Sequence, residues 1–245
     1  MTERQKTMGE SHPLLTYFMA AAAGRFPPAD GGVTVLPPLA DGLECSVAFT
    51  GHAVVASAMP SQAVHAHGPD GFGASLSPGF LRHLAGPTGW IGVIGATLSA
   101  RGTGGTPRLA ELTDADGHPR VRYARELRTK VKVYGDERGL ITLADGLAGR
   151  RELSIELHNV QDSGQGRGRS FLADALSLVP EAEPVFAAVA PGNARSLRAF
   201  LASGFTPIGS EVVLRPNRKA ARRTAGHGTS FRIPAPSRVR SAGSG

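Results

Sequence analysis

Two hydrophobic rhythms alternate along this chain. Leu14, Leu15, Tyr17, Phe18 and Met19, followed by Ala20 to Ala23, predict a short helix that stops at Gly24. Pro27, Pro28, Gly31 and Gly32 then impose a loop, and Val33–Leu36 reads as a strand. Leu43–Thr50 and Ala53–Ser57 pair as a hairpin around Gly51 and His52. Residues 60–76 are broken by glycine and proline and read as irregular. Pro78–Leu84 predicts a short helix with Ser77 as its cap and Pro78 at its first position. Trp90–Leu98 is a continuous apolar run, predicted as a buried strand with Trp90 in the core. Arg101–Thr106 reads as a flexible, glycine-rich linker.

The second half is more regular. Pro119–Thr129 predicts a helix whose arginines, Arg120, Arg122, Arg125 and Arg128, form a solvated face. Lys130–Tyr134, Leu140–Ala144 and Glu152–His158 predict three strands, joined by turns at 136–139 and 146–149. A glycine-rich turn at 163–168 precedes a helix, Arg169–Leu178, with Phe171, Leu172, Ala175, Leu176 and Val179 at helical spacing. Pro184–Ala190 is a strand, a second helix runs from Asn193 to Gly204, and Val212–Leu214 closes the order as an edge strand. An antiparallel meander followed by βαβ predicts an α+β fold with a mixed, mostly antiparallel central sheet flanked by helices.

Charge and composition narrow the classes. Of the 245 residues, 41% are apolar, which suits a globular chain with a real core. The net charge of +7 belongs to the C-terminus: residues 217–245 carry seven basic groups and no acid, so residues 1–216 are neutral. A general nucleic-acid-binding body is thereby disfavoured. The tail from Asn217 is expected to be disordered and to give at most weak contact with nucleic acid or acidic partners. The single Cys45 excludes an internal disulfide framework, and its place in a strand predicts a buried structural thiol. His65 and His67 lack a third ligand nearby, and Asp114, Asp116 and Gly117 lack the later glutamate of a calcium loop, so no metal site is expected. The longest apolar stretches fall short of the roughly 20 residues that span a bilayer, and the first residues lack a signal-peptide pattern. A cytoplasmic protein without membrane contact is the expectation.

The chemistry concentrates at Ser163-Gly164-Gln165-Gly166-Arg167-Gly168-Arg169-Ser170, between a strand and a helix. Glycines let a backbone turn sharply and approach a ligand, and the helix start behind them offers unpaired N–H groups and the positive dipole end. Together these suit a phosphate or pyrophosphate. The loop matches neither the P-loop, which needs Lys then Ser or Thr after its last glycine, nor the dinucleotide G-x-G-x-x-G pattern. It could also be a plain connecting turn. Asn193 stands where the next strand gives way to a helix. It could cap that helix, or offer its amide to a ligand lying between the two strands.

These two segments together resemble the GNAT acyltransferase superfamily. Gly166-Arg167-Gly168-Arg169-Ser170-Phe171-Leu172 is similar to its R/Q-x-x-G-x-G/A loop and helix start. Asn193, Ser196, Ala199, Gly204 and Phe205 follow its N-x-x-A-x-x-L-Y-x-x-x-G-F motif. The resemblance covers about residues 130–215. More loosely, the whole chain resembles actinobacterial GNAT-like proteins with an extended N-terminal portion. The implied division is a partly helical segment 1–32, an N-terminal portion 33–129, a core 130–216 and the basic tail 217–245.

The resemblance implies acetyl-CoA as cosubstrate and transfer of its acetyl group to an amine by direct attack. Gln165, Gly166, Arg167, Gly168, Arg169 and Ser170 would hold the pyrophosphate. His158, Asn159 and Val160 would present backbone groups to the pantetheine, with a register uncertain by one residue, and Asn193 would contact the same arm. Two positions depart from the family pattern. Ser163 takes the R/Q place, with Gln161 as a shifted alternative, and Phe200 replaces the family's Tyr, the usual acid for the departing thiolate. Glu152, Ser154, Glu156 and His158 share one strand face. Glu156 is the candidate general base, against the alternative of an ordinary solvated strand face. The rival readings are a CoA-binding or sensing module of the same fold with weak or no catalysis, and a nucleic-acid-associated protein acting through its tail. The acceptor amine stays unidentified, and a homodimer paired through strand 212–214 is open.

Overall fold

A computed structural model describes residues 11–158 and 166–218 of the chain. The predicted residues Asn159, Val160, Gln161, Ser163 and Gln165, and the tail beyond Arg218, lie outside the described residues.

The strands are β1 (Val33–Leu36), β2 (Glu44–Phe49), β3 (His52–Ala56), β4 (Trp90–Ile91), β5 (Gly95–Arg101), β6 (Ala110–Glu111), β7 (Thr129–Asp136), β8 (Gly139–Asp145), β9 (Arg151–Leu157), β10 (Pro184–Val189) and β11 (Thr206–Arg215). They form one sheet in the order β1-β3-β2-β11-β5-β10-β9-β8-β7-β6, with β4 paired additionally to β11. Only β1/β3 and β9/β10 are parallel. The helices are α1 (Leu14–Ala22), α2 (Ser61–His65), α3 (Pro78–Ala85), α4 (Pro119–Leu127), α5 (Arg167–Ser177) and α6 (Ala194–Ala202). The fold is α+β: a mixed, mostly antiparallel sheet flanked by helices.

Alternation of side chains along each strand assigns the faces. Leu153, Val185, Ala187, Val189 and Leu98 point to α5 and α6, where Phe171, Leu172, Ala175 and Phe200 complete a core. Phe186, Val47 and Ile208 point the other way, to α1, whose Leu14 and Phe18 are fully buried there. α4 lies on that same second face, with Val121 against Val133 and Leu140. α3 covers the far end of the first face through Phe80, Leu81 and Leu84. Its start is as predicted, with Ser77 accepting from the Phe80 N–H. Cys45 is fully buried in β2. Among the described residues, no helix is long and apolar enough to cross a membrane.

Four expectations are corrected. Val212–Leu214 is the end of a ten-residue strand, β11, that sits inside the sheet between β2 and β5. Pro207 and Gly209 flank a register shift that hides its first half from a periodicity reading. Dimer pairing through that strand is thereby closed; the outer strands are β1 and β6. The Trp90–Leu98 run breaks into β4 and β5 because its register against β11 shifts by one between Ile91, opposite Leu214, and Gly95, opposite Glu211. A Cβ at Gly92 would come within 2.9 Å of the Val213 carbonyl oxygen. Trp90 is 40% exposed rather than core. The linker after Arg101 is fastened: the Gly102 N–H donates to the Glu183 carbonyl at 2.8 Å, and the Thr103 N–H to that of Leu176 at 3.0 Å. The expectation of disorder from Asn217 is corrected for Asn217 and Arg218. The Asn217 N–H donates to the Ala85 carbonyl at 2.7 Å, and the Arg218 guanidinium pairs with the buried Glu44 carboxylate.

Candidate functional site

The site is centred on β9 and β10. These neighbours are parallel and share one register pair, Phe186 with Glu152, after which they part. Backbone groups of a strand point alternately to its two sides. The His158 N–H donates to the Arg138 carbonyl at 3.0 Å, on the β8 side. The groups of Leu153, Ile155 and Leu157 therefore face β10. Past Leu153 they face the gap between the strands. The His158 N–H is therefore turned to β8, away from the β9/β10 gap.

α5 begins beside that gap. Gly166 caps it at φ 76, a left-handed conformation natural to glycine, with no side-chain cap. Arg167, Arg169 and Ser170 are exposed around this first turn. Gly168 faces both α6 and β9. A Cβ there would lie 3.6 Å from that of Ala199 on α6 and 3.7 Å from Leu157 Cδ1 on β9. This brings the start of α5, α6 and the open edge of β9 together. Asn193 caps α6, its side-chain oxygen accepting from the Ser196 N–H at 3.1 Å. Phe200 is buried, edge to face with Phe205 at 4.8 Å between centroids, and forms an apolar wall.

Sequence reading missed the group that holds α5 in place. Arg138, in the β7–β8 turn, pairs with Asp136 at 2.5 Å and with Asp174 of α5 at 2.6 Å. It donates to Ser170 Oγ at 3.1 Å and lies over the Phe171 ring at 4.9 Å. Hydrogen bonding from Arg138 holds the Asp136 carboxyl below its ordinary range, and Asp136 and Asp174 raise the guanidinium pKa. A hollow of about 840 Å³ lies outside this turn, lined by Gly104, Arg108, Gly166, Arg169 and Ser170 among others.

On the opposite face a larger cleft, about 930 Å³, opens between α1 and α4 and reaches Ala188 at the end of β10. Glu152 and Glu211 are in its lining. Both belong to a buried polar chain. Arg128 reaches Glu152 at 2.9 Å, Arg150 lies 3.6 Å from Glu152 and 2.6 Å from Glu211, and Thr97 Oγ1 donates to Glu211 at 2.6 Å. Arg150 is enclosed under Phe18, at 4.2 Å from its ring, and among the described residues has no hydrogen-bond partner at Nε or Nη1. Burial alone would raise the Glu152 carboxyl, but Arg128 and Arg150 hold it below its ordinary value. The solvated-face reading therefore fails for Glu152 and for Arg128, which is also largely buried.

The candidate base Glu156 is engaged as well. Its carboxylate accepts from Arg120 Nε at 2.6 Å, and His118 Nε2 stands 3.8 Å away. Glu156 does not line the cleft that reaches the strand gap, whereas Glu152 and Glu211 do. No spacing in the sequence announces these two, since their partners come from β5, α4 and the β8–β9 turn. Among the described residues, no cluster of three or more His, Cys, Asp or Glu is placed to hold a metal ion.

No protein-family model matches the sequence, and no curated protein matches it. Solved structures with a distant likeness include a protein described as a GNAT-family acetyltransferase from Novosphingobium aromaticivorans. It is 13% identical with a TM-score of 0.37, over 54% of this chain and 69% of that one. Another is a conserved protein of unknown function from Staphylococcus epidermidis, 10% identical with a TM-score of 0.36, over 56% of this chain and 66% of that one.

Proposed function

We propose that the protein is an N-acyltransferase that moves an acetyl group from acetyl-CoA to an amine. The observation that carries this reading is the parting of β9 from β10 directly beside the glycine-opened start of α5. A parallel pair that separates after one register pair exposes a row of backbone donors and acceptors, which an amide-bearing arm can pair with. The helix start next to it suits a pyrophosphate, with Arg167 and Arg169 adding positive charge. The cleft under α1 and α4 reaches the same strands from the other face, so an acceptor and a thioester can approach from opposite sides.

In this reading the amine nitrogen attacks the thioester carbonyl carbon. The new C–N bond forms, the C–S bond breaks and the sulfur leaves as thiolate. Phe200 has no proton to give, so the thiolate takes its proton from water or leaves unprotonated. The amine's proton passes to solvent or to a carboxylate that reaches the cleft. Glu211 and Glu152 are two of the carboxylates in its lining.

A second reading, a CoA-binding module without turnover, is favoured by Phe200 and by the engagement of Glu156 with Arg120. Calorimetric titration with acetyl-CoA tests both readings. Micromolar binding that a Gly166→Glu/Gly168→Glu variant loses supports the cofactor site, and thiol release with an amine then separates enzyme from module. No saturable heat from the wild-type protein at millimolar acetyl-CoA overturns both.

A further inference from the structure

The cleft between α1 and α4 has a chemical character of its own. Its volume of about 930 Å³ is in the range of sites that enclose a small organic molecule. Two aromatic side chains and a valine line it while remaining exposed: Trp90 at 40%, Tyr123 at 48% and Val93 at 73%. Apolar side chains scattered singly over a surface need no explanation, but three gathered at one cleft do. Trp90 is also held in place. The Gly92 N–H donates to the Val213 carbonyl at 2.9 Å, and the indole lies so close over Gly92 that a Cβ there would stand 3.0 Å from it. Tyr123 stands on the exposed side of α4.

The charge of the cleft points to one sign of ligand. Asp41, Glu126, Asp145, Glu152 and Glu211 line it, against the guanidiniums of Arg125, Arg128 and Arg215. Those guanidiniums are already engaged. Arg125 pairs with Asp116 outside the cleft at 2.6 Å, Arg128 with Glu152, and Arg215 donates to the Glu126 carbonyl at 2.6 Å. Three of the acids are engaged too, Glu152 with Arg128, Glu211 with Arg150 and Asp145 with Lys130. Among the described residues the carboxylates of Asp41 and Glu126 have no ion-pair partner, and these together with the aromatic faces at the rim favour a cation. At the inner end, Ala188 is opposite Thr97 in the sheet, and Thr97 donates to Glu211. A small side chain there leaves room beside the carboxylate where β10 has left β9.

We propose that this cleft binds a primary amine carried on an aromatic-sized apolar body, with the ring against Trp90 and Tyr123 and the ammonium toward the carboxylates of Asp41 and Glu126. That this amine is the acetyl acceptor rests on the acyl-transfer reading; that the cleft binds it does not. A linear polyamine would leave the aromatic rim unused, and an aromatic acid would meet the wrong charge.

The chain supplies its own reporter, since Trp90 is its single tryptophan. Titrating the full-length protein with 2-phenylethylamine, which does not emit where tryptophan does, should give a saturable change in Trp90 emission with a submillimolar midpoint. n-Butylamine, spermidine and 3-phenylpropionate should each bind at least tenfold more weakly. Tyr123→Ala should weaken the amine about tenfold with an unchanged circular dichroism spectrum, as expected for an exposed side chain. No saturable change at the solubility limit overturns the proposal. So does equal binding of spermidine or of the acid, or an unaltered midpoint in Tyr123→Ala. A parallel acetyl-CoA titration keeps the two failures apart. Amine binding without acetyl-CoA binding removes acyl transfer and leaves this site standing, whereas acetyl-CoA binding without amine binding does the reverse.

Discussion

Arg150 and Glu211 meet at 2.6 Å across 61 residues of sequence, and neither is exposed to water. The pair joins the start of β9 to the middle of β11, so it fastens the carboxylate floor of the cleft to the sheet. Removing one partner of a buried ion pair strands the other, which costs about 3–5 kcal/mol. Arg150→Ala is therefore expected to lower the unfolding free energy by that order in urea titration. Arg150→Met combined with Glu211→Gln should recover much of the loss, because no unpaired charge is then left under Phe18. Equal losses in the single and double variants would speak against the pair as the cause.

Acid should weaken the protein through Glu152 and Asp136. Both have folded-state pKa values below their ordinary ones, held there by Arg128 and Arg150 in one case and Arg138 in the other. A carboxyl depressed in this way contributes stability above its unfolded pKa, about 4. That contribution drains away as pH falls through the folded value. Urea midpoints should hold level from pH 7 to about 5 and then fall, and Glu152→Gln should flatten the acid limb while lowering the plateau at neutral pH. A midpoint that stays flat to pH 3 in the wild-type protein would exclude this linkage.

Cys45 should be silent toward alkylating reagents. Burial pushes its thiol up to about 12, so almost no thiolate exists at neutral pH, and the side chain is enclosed in β2. Iodoacetamide is expected to label it only at the rate of global unfolding, which intact-mass spectrometry in increasing urea would follow. Rapid labelling in buffer would mean that β2 opens locally.

Arg138→Ala should act on cofactor affinity more than on the fold. The residue positions α5 through Asp174, Ser170 and Phe171. A drop of a few degrees in thermal midpoint and roughly tenfold weaker acetyl-CoA binding are expected. Arg138→Lys should restore part of the charge but little of the affinity, since an ammonium cannot reproduce the forked contact with two carboxylates. Unchanged affinity in Arg138→Ala would show that α5 is held by its core face alone.

Much of the fold was legible because it is local. The β7–β8–β9 meander, α5, β10 and α6 follow from alternation, helical spacing, the glycine-rich turn before α5 and the cap at Asn193. The lost part is nonlocal. β11 is interrupted by Pro207 and Gly209, so only its apolar end, Val212–Leu214, carried a strand signal, and nothing in that end says which strands lie beside it. The site divides in the same way. Gly166, Gly168 and Asn193 stand out through backbone chemistry written in consecutive residues. Glu211, Arg150 and Thr97 acquire meaning only when β11, the β8–β9 turn and β5 bring them together, and Arg138 looks like an ordinary turn residue until Asp174 arrives opposite it.

The place of β11 also sets an order of events in synthesis. Lying between β2 and β5, it is the element through which the three opening strands join the rest of the sheet. Until the last of its ten residues has left the ribosome, the hairpin of β2 and β3 faces an unfilled seam, and so does the edge of β5. A nascent chain ending near residue 205 would hold both halves of the sheet with their hydrogen-bonding edges bare, the condition that invites pairing with another chain. Completion of the described sheet thus waits for β11, the last of its strands in chain order.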